Sequence, residues 1–113
     1  MSAGFARTPP PPYWVVTFTS QRNAREVDAY ADAAERMFAL ASTQPGFLGM
    51  ESVRDADGFG ITLSYWADEA SIAAWREHAE HRAIREYGRA QWYDHFEVRV
   101  AKVERAYSRR ADA

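Results

Sequence analysis

Two histidines in the second half of the chain form its densest group of side chains suited to acid–base chemistry. His78 and His81 are three residues apart, and Trp75 lies about one helical turn earlier. Residues three apart in a helix lie on the same face, so the spacing predicts that these side chains are neighbours. A neutral imidazole, with a pKa of about 6.5, can take a proton from an enolisable or phenolic substrate, and the resulting anion can react with dioxygen without metal or flavin. The alternative is that both histidines make ordinary surface contacts at a half-buried helix end.

Other side chains can complete such a site by stabilising an anion or by binding a flat ring. Arg85 or Arg54 could stabilise a developing oxyanion with a fixed positive charge. An aromatic slot between the second helix and the sheet would suit a flat hydrophobic ligand. The candidates for lining this slot are Trp66, Trp75, Tyr87 and Ser64. Aromatic residues also fill cores and dimer contacts in small domains, so that alternative stays open.

A metal site has only partial support. His78 and His81 would need a third ligand such as Glu77 or His95, and the chain has no Cys. Glu51 is a further candidate base if it is enclosed, and otherwise lies on a dimer-facing side of the sheet. Because the sequence has no Gly-rich phosphate loop, nucleotide-binding fingerprint or Ser-His-Asp order, it does not support kinase, hydrolase or flavin-dehydrogenase functions.

Length and composition place these residues in one small domain. The chain has 113 residues, of which 47% are hydrophobic. Fourteen basic and sixteen acidic residues are interleaved and give a net charge of −2, so there is no basic patch for nucleic acid or an anionic membrane. No apolar run approaches the roughly 18 residues of a membrane span, and residues 1–8 lack the features of a signal peptide. We therefore expect a cytoplasmic protein.

The hydrophobic periodicity predicts the elements that position these side chains. Residues 1–12 form a proline-rich leader, and the β-branched and aromatic run at 13–19 predicts a first strand. Asn23 and Glu26 match a capping box, so we expect a helix that begins at Asn23 and ends near Ser42, before a Pro-Gly pair.

A hairpin, a second helix and a last strand follow. The segments 47–54 and 59–66 should pair as antiparallel strands around a short Gly-containing turn. A helix capped by Asp68 should end or kink near Gly88, and the final strand should occupy 92–103.

The resulting order is β-α-β-β-α-β, which predicts an α+β, ferredoxin-like fold with a four-stranded antiparallel sheet and two helices on one face. Alternation in the second strand places Phe47 and Val53 on the opposite face, with nothing in the chain to cover them. A homodimer packed sheet against sheet is the simplest cover. We expect the domain to span 13–107, followed by a charged tail at 108–113.

Five strings of the chain, in their order and spacing, resemble the antibiotic biosynthesis monooxygenase family of dimeric α/β barrels. The strings are TQPGFLGMES, GITLSYW, AAWREHAEHRAI, GRAQWY and EVRVAKVERAY. Members of this family include cofactor-free oxygenases of polyketide phenols and quinols, haem-degrading enzymes and proteins without known activity. The resemblance therefore implies a small cofactor-independent monooxygenase acting on a flat aromatic, phenolic or quinol-type compound. We assign His78, His81 and Arg85 as its candidate catalytic residues.

The haem-degrading branch of the family is matched only in part. Its two tryptophans nine residues apart resemble Trp66 and Trp75, but the axial histidine expected ten residues later falls on Arg85. A guanidinium cannot ligate haem iron, so haem binding would need His78 or His81 as a substitute ligand. The alternatives to an oxygenase are therefore a haem-binding or haem-degrading protein and a non-catalytic dimeric barrel that binds a hydrophobic small molecule.

Overall fold

The computed structural model describes residues 4–111, in which four strands form one sheet and three helices pack on one side of it. The strands are β1 (Tyr13–Arg22), β2 (Phe47–Arg54), β3 (Phe59–Trp66) and β4 (Tyr93–Val103). The helices are α1 (Val27–Ala41), α2 (Glu69–Glu77) and α3 (Ala79–Gln91). The first three residues of the expected leader and the last two of the expected tail lie outside the described residues. None of these three helices has the length and hydropathy that crossing a membrane requires.

All strand pairs are antiparallel, and the strand order is β2-β3-β1-β4. β1 is therefore central, with Val16 opposite Ser64 on one side and Val100 on the other. The predicted α+β, ferredoxin-like fold is confirmed. Within the described chain the sheet is open and does not close into a barrel. We call the side that carries the helices the helix face, and the other side the open face.

The first strand ends later, and the first helix begins later, than the sequence predicts. Strand pairing continues to Arg22, and α1 begins only at Val27. The Asn23 side chain accepts the Arg25 N–H at 2.9 Å and so forms a turn of its own. Glu26, the residue before the helix, has φ 52° and ψ 46° and makes no side-chain cap. The capping-box prediction is therefore wrong, because both of its residues have other partners or geometry.

A bulge in β2 changes the face that Phe47 occupies. The register shifts between Phe47 and Gly49, so Phe47 lies opposite Trp66 with ring centroids 5.3 Å apart. The expectation that Phe47 lies on the uncovered face is wrong, because the extra residue breaks the period-two alternation. Val53 does lie on the open face, opposite Ile61, and is 71% exposed.

The predicted second helix is two helices. Asp68 caps α2 as expected, its carboxylate accepting a backbone N–H of the first turn at 2.8 Å. The break falls at His78, whose backbone is extended at φ −60° and ψ 126°, and not at Gly88, which is buried inside α3. His78 therefore ends one helix and begins the next, so His78 and His81 do not share the face of a continuous helix.

The leader covers part of the open face. The Ala6 N–H donates to the Glu51 carboxylate at 3.0 Å, and the Thr8 hydroxyl donates to the Tyr13 hydroxyl at 3.1 Å. A side chain at Gly49 would approach Ala6 to 2.9 Å, so the two backbones lie close together. The expectation that nothing in the chain covers this face is therefore wrong where the leader contacts β1 and β2.

The turn before β2 supplies a test of how tightly α2 is held against the sheet edge. Gly46 has φ +82°, and a Cβ there would overlap the Ser71 hydroxyl of α2. We expect Gly46→Ala to lower the free energy of unfolding by about 2 kcal/mol, since left-handed backbone costs a non-glycine residue about 1 kcal/mol or more and the overlap adds to it. Urea denaturation measures this loss.

Ser71→Gly provides the matched control, because it removes the side chain that the new methyl group would meet. The Gly46→Ala/Ser71→Gly variant should be more stable than the sum of the two single effects predicts. Additive losses would show that Ser71 does not limit the space at Gly46.

Candidate functional site

Three rings stack outward from the sheet at one end of the helix face. Trp66 of β3 is fully buried, and Trp75 of α2 stacks on it with centroids 6.3 Å apart. His81 of α3 stacks in turn on Trp75, with centroids 4.2 Å apart and planes within 8°. We call Trp66, Trp75, His78, His81 and Arg85 the histidine end.

The break between α2 and α3 brings His81 onto Trp75. The Trp75 carbonyl accepts the His78 N–H at 3.1 Å, which ends α2, and also contacts His81 Nδ1 at 2.9 Å. A carbonyl oxygen can only accept a hydrogen bond, so Nδ1 carries the proton and Nε2 of the neutral ring keeps its lone pair. Within residues 4–111 no hydrogen bond to Nε2 is present. The geometry therefore fixes the tautomer that a general base requires.

The surroundings of His81 favour the neutral ring. Burial lowers the pKa of His81 below its ordinary value, while the hydrogen bond to Trp75 opposes this shift. The positive charges of Arg85 and Arg76 and the neighbouring His78 lower the pKa of His81 further. The imidazole is therefore unprotonated at neutral pH and able to accept a proton.

His78 has a different set of contacts. Its Nδ1 accepts the Glu80 N–H at 3.3 Å, and its carbonyl accepts the Arg82 N–H at 2.8 Å, so it caps the start of α3. Its ring centroid lies 5.7 Å from that of Trp75. These contacts give His78 a positioning role for the helix that carries His81, and a catalytic role for it stays a prediction.

Arg85 belongs to the histidine end, and Ser64 lies beside it. Arg85 is half-buried and donates to the Arg76 carbonyl at 3.0 Å, which holds its charge beside His81. The Ser64 hydroxyl accepts the Trp66 indole N–H at 3.0 Å. A guanidinium therefore occupies the position at which the haem-degrading pattern expects an axial ligand, and that pattern does not fit. Among residues 4–111 no three His, Cys, Asp or Glu side chains are grouped so as to hold a metal ion.

The middle of the helix face has a polar floor. The hydroxyls of Ser52 and Thr62 share a hydrogen bond of 2.7 Å between β2 and β3, next to Ser64. Met37, Phe38 and Leu40, large apolar residues of α1, are only half-buried. In the described chain, the buried hydrophobic residues are Tyr13, Ala41, Trp66 and Trp92. The large side chains of a helix-covered sheet face are usually buried more completely than these.

Arg54 lies at the opposite end of the helix face from His81. One of its terminal nitrogens donates to the hydroxyls of Ser20 (2.8 Å) and Tyr30 (3.0 Å), and the other donates to the Ser20 and Gly58 carbonyls. A side chain at Gly60 would meet the guanidinium carbon at 2.8 Å, so glycine is needed there. Arg54 therefore does not join the histidine end, contrary to the idea of a single oxyanion site.

Three residues that sequence reasoning missed surround Arg54. The Tyr93 hydroxyl donates to the Tyr30 hydroxyl at 3.2 Å, and the Arg22 guanidinium lies 4.4 Å from the Tyr30 ring centroid. Burial raises the pKa of Tyr93, as does its contact with Tyr30, while the charges of Arg54 and Arg22 oppose the shift. We call Arg22, Arg54, Tyr30 and Tyr93 the arginine end. The signal that could have identified Arg22 is the alternation of β1, which continues through Phe18 and Ser20.

The contacts of Tyr87 also place it away from the histidine end. Its hydroxyl donates to Glu26 at 2.8 Å, and its ring packs against Trp92 with centroids 5.0 Å apart. The hydrogen bond to Glu26 raises the pKa of Tyr87. The structure thus brings together His81, Arg85, Trp66, Trp75 and Ser64, but not Tyr87 or Arg54.

Glu51 and His95 lie on the open face. Glu51 accepts the Tyr65 hydroxyl at 2.6 Å as well as the Ala6 N–H, and no arginine of the described chain pairs with it. Burial, followed by the hydrogen bond to Glu51, raises the pKa of Tyr65. His95 is exposed and lies 3.1 Å from Glu97. Neither residue faces the rings of the histidine end.

These observations define a small α+β domain with a neutral, half-buried histidine beside two arginines. The family model described as antibiotic biosynthesis monooxygenase matches residues 14–87. The chain belongs to this family, as the five sequence strings indicate.

Three relatives illustrate the similarity. The chain is 53% identical over 100 residues to the uncharacterized protein YqjZ of Bacillus subtilis, covering 88% of this chain and 87% of YqjZ. It is 28% identical over 94 residues to the jasmonate monooxygenase ABM of Pyricularia oryzae, covering 80% of this chain and 43% of that protein. The cofactor-independent oxygenase SnoaB of Streptomyces nogalater has the same fold, with a TM-score of 0.68 at 15% identity over 84% of this chain and 95% of SnoaB.

The environment of His81 predicts a measurable titration. NMR of the imidazole signals should give a pKa for His81 below about 6.5, the ordinary value. Arg85→Gln removes a charge that disfavours protonation and should raise this pKa, whereas Arg89→Gln, at an exposed position of the same helix, should not. Stability should change in parallel. Because the unfolded chain binds the proton more tightly, the free energy of unfolding should fall as the pH falls through about 6.5 towards the folded-state pKa, and His81→Phe should flatten this slope.

A His81 pKa at or above that of an unstructured histidine, or one that does not respond to Arg85→Gln, would contradict the assignment of a neutral base.

Proposed function

We propose that the protein is a small cofactor-independent monooxygenase that oxidises a flat phenolic or quinol-type compound with dioxygen. The observation that carries this proposal is His81, whose Nδ1 is bound to the Trp75 carbonyl and whose Nε2 has a free lone pair among residues 4–111. Membership of the antibiotic biosynthesis monooxygenase family supports oxygenase chemistry of this kind. SnoaB, which shares the fold, is described as a cofactor-independent oxygenase.

The chemistry begins with proton transfer to His81 Nε2 from a phenolic or enolisable position of the substrate. The positive charges of Arg85 and Arg76 stabilise the substrate anion that forms. An electron-rich carbon of this anion reacts with dioxygen, and a carbon–oxygen bond forms to give a hydroperoxide. Its O–O bond then breaks with loss of the carbon-bound hydrogen, leaving a carbonyl group and one molecule of water. One oxygen atom of dioxygen enters the product and the other leaves as water. The substrate supplies the four electrons that this reduction requires.

The middle of the helix face supports binding of a flat ring. The hydroxyl groups of Ser52, Thr62 and Ser64 form a polar floor on the helix face, and Met37 and Phe38 of α1 are only half-buried. A ring between these layers would bury apolar area above and find hydrogen-bond partners below. Trp66 and Trp75 stack on each other, so they form the wall of this space and position His81.

Oxygen uptake tests the proposed reaction. With an anthrone or quinol substrate, His81→Asn should reduce kcat/KM by about 100-fold or more, because a positioned base contributes about that much. His95→Asn is the matched control, since this histidine is exposed on the open face, and it should leave kcat/KM unchanged. An oxygen electrode makes the measurement. If the wild-type protein consumes no oxygen with any phenol, anthrone or quinol tested, the proposal is wrong.

The same geometry supports a second candidate, a non-catalytic domain that binds a hydrophobic small molecule. The polar floor and the half-buried face of α1 favour ligand binding whether or not turnover follows. This candidate predicts saturable binding without oxygen uptake, and affinity that survives His81→Asn. Haem binding would be recognised by a Soret shift on adding haemin, and its absence would exclude that alternative.

We further propose that two copies pair through the open face. Val53 is 71% exposed there, beside Ile61 at 39% and Phe59 at 47%, and an apolar surface of this kind favours a partner. Val53→Lys should convert the dimer to a monomer in light scattering, because it places a charge in the interface. Ala39→Lys, at an exposed position of α1 on the other side, should leave the dimer intact. A wild-type protein that is monomeric at micromolar concentration would contradict the pairing.

A further inference from the structure

Two guanidinium groups at the arginine end have no carboxylate partner. Arg22 and Arg54 lie against the same Tyr30 ring, at 4.4 Å and 5.5 Å from its centroid. The ion pairs within residues 4–111 involve neither arginine. Arg54 donates only to neutral oxygens of Ser20, Gly58 and Tyr30. Two positive charges are thus held together among neutral groups.

Arg22 has two hydrogen-bond donors without an acceptor. Its Nε and Nη2 are shielded from solvent, and neither has a hydrogen-bond partner among residues 4–111. A shielded charged donor without an acceptor is strongly unfavourable, so such groups in folded proteins call for an explanation. No acceptor from the described part of the chain lies at this point.

The two unpaired atoms define the shape of the missing acceptor. Nε–H and Nη2–H lie side by side on one edge of the guanidinium and match the two oxygens of a carboxylate. Arg36 uses the same two atoms to bind both oxygens of Glu80, at 2.6 Å and 2.9 Å. The Arg36–Glu80 pair shows how a carboxylate fits this edge of a guanidinium.

The carboxylate of Glu26 does not fill this edge. It accepts the Tyr87 hydroxyl at 2.8 Å and the Trp92 indole N–H at 3.0 Å. Both partners hold it on the side of α1 and α3 that faces Trp92. Glu26 is therefore engaged elsewhere and does not pair with Arg22.

We propose that the arginine end binds the carboxylate of a ligand, with Arg22 Nε and Nη2 as its bidentate donors and the second charge of Arg54 nearby. This inference rests on the proposed function, since the ligand body lies on the helix face, and it narrows the ligand class to a hydrophobic carboxylic acid. The hydroxyl floor and the half-buried residues of α1 supply the surface for that body. Because the edge is closed to solvent, the ligand displaces covering side chains as it enters.

A pair of matched probes tests the carboxylate. Titration calorimetry at pH 7 compares 2-naphthoate with 2-naphthamide, which has the same ring system without the charge. The wild-type protein should bind the acid about tenfold more tightly or better, and Arg22→Gln should abolish this preference. Arg25→Gln makes the same charge change three residues later at an exposed position, and should retain the preference. Equal affinities in the wild type, no binding of naphthoate at millimolar concentration, or a preference that survives Arg22→Gln would overturn the proposal.

Thermal unfolding tests whether Arg22 has only a structural role. Removing an unpaired shielded cation should leave the Tm of ligand-free Arg22→Met unchanged or raise it. Naphthoate should raise the Tm of the wild type but not that of Arg22→Met. A large loss of Tm in the ligand-free variant would assign Arg22 to the fold and overturn the site.

The outcomes separate this inference from the proposed function. A tenfold preference for the acid without oxygen uptake would leave the carboxylate site standing and overturn the monooxygenase. Oxygen uptake with equal binding of acid and amide would support the monooxygenase and overturn the carboxylate site. Tighter binding of 2-naphthyl phosphate than of 2-naphthoate would overturn the carboxylate in favour of a phosphate group.

Discussion

The candidate site depends on one backbone carbonyl that serves two partners. The Trp75 oxygen accepts the His78 N–H and also binds His81 Nδ1. In an uninterrupted helix this oxygen would accept the N–H of residue 79, and a side chain six residues later would lie on a different face. The break at His78 instead returns His81 onto the Trp75 ring. The tautomer of His81, its desolvation and the free lone pair all follow from this arrangement.

Much of the fold could be predicted because it depends on local periodicity. The alternation in the strands and the apolar stripes of the helices give the element order directly. Helical spacing indicated that Trp75 and His81 are close, although it assumed one continuous helix face that also carried His78. The break at His78 could not be predicted in this way, because no Pro or Gly marks it and the ring stack that stabilises it is a tertiary contact. The same reason applies to the bulge before Gly49, which places Phe47 against Trp66.

Non-local contacts also explain why the arginine end was missed. Arg22 lies beyond the predicted first strand at 13–19, although the pairing of β1 extends to it, and Tyr30 lies within the predicted first helix. Their meeting with Tyr93 joins three segments that are far apart in the sequence. Unpaired charge in such a place lowers stability, and departures of this kind from sequence–structure consistency are expected at functional or strained sites. Local propensity therefore describes the scaffold better than it describes the groups that act on a ligand.

The separation of the two ends has a consequence for the shape of the molecules that this protein can select. Gly60, beside Arg54, and Trp66 are six residues apart along β3, which corresponds to about 20 Å at the usual rise of a strand. The long side chains at both ends shorten this span but do not close it. For a ligand bound on the helix face as proposed, only an elongated molecule would touch both ends at once, and a compact phenol would contact one end. Small aromatic compounds would then test each end separately and not the two together.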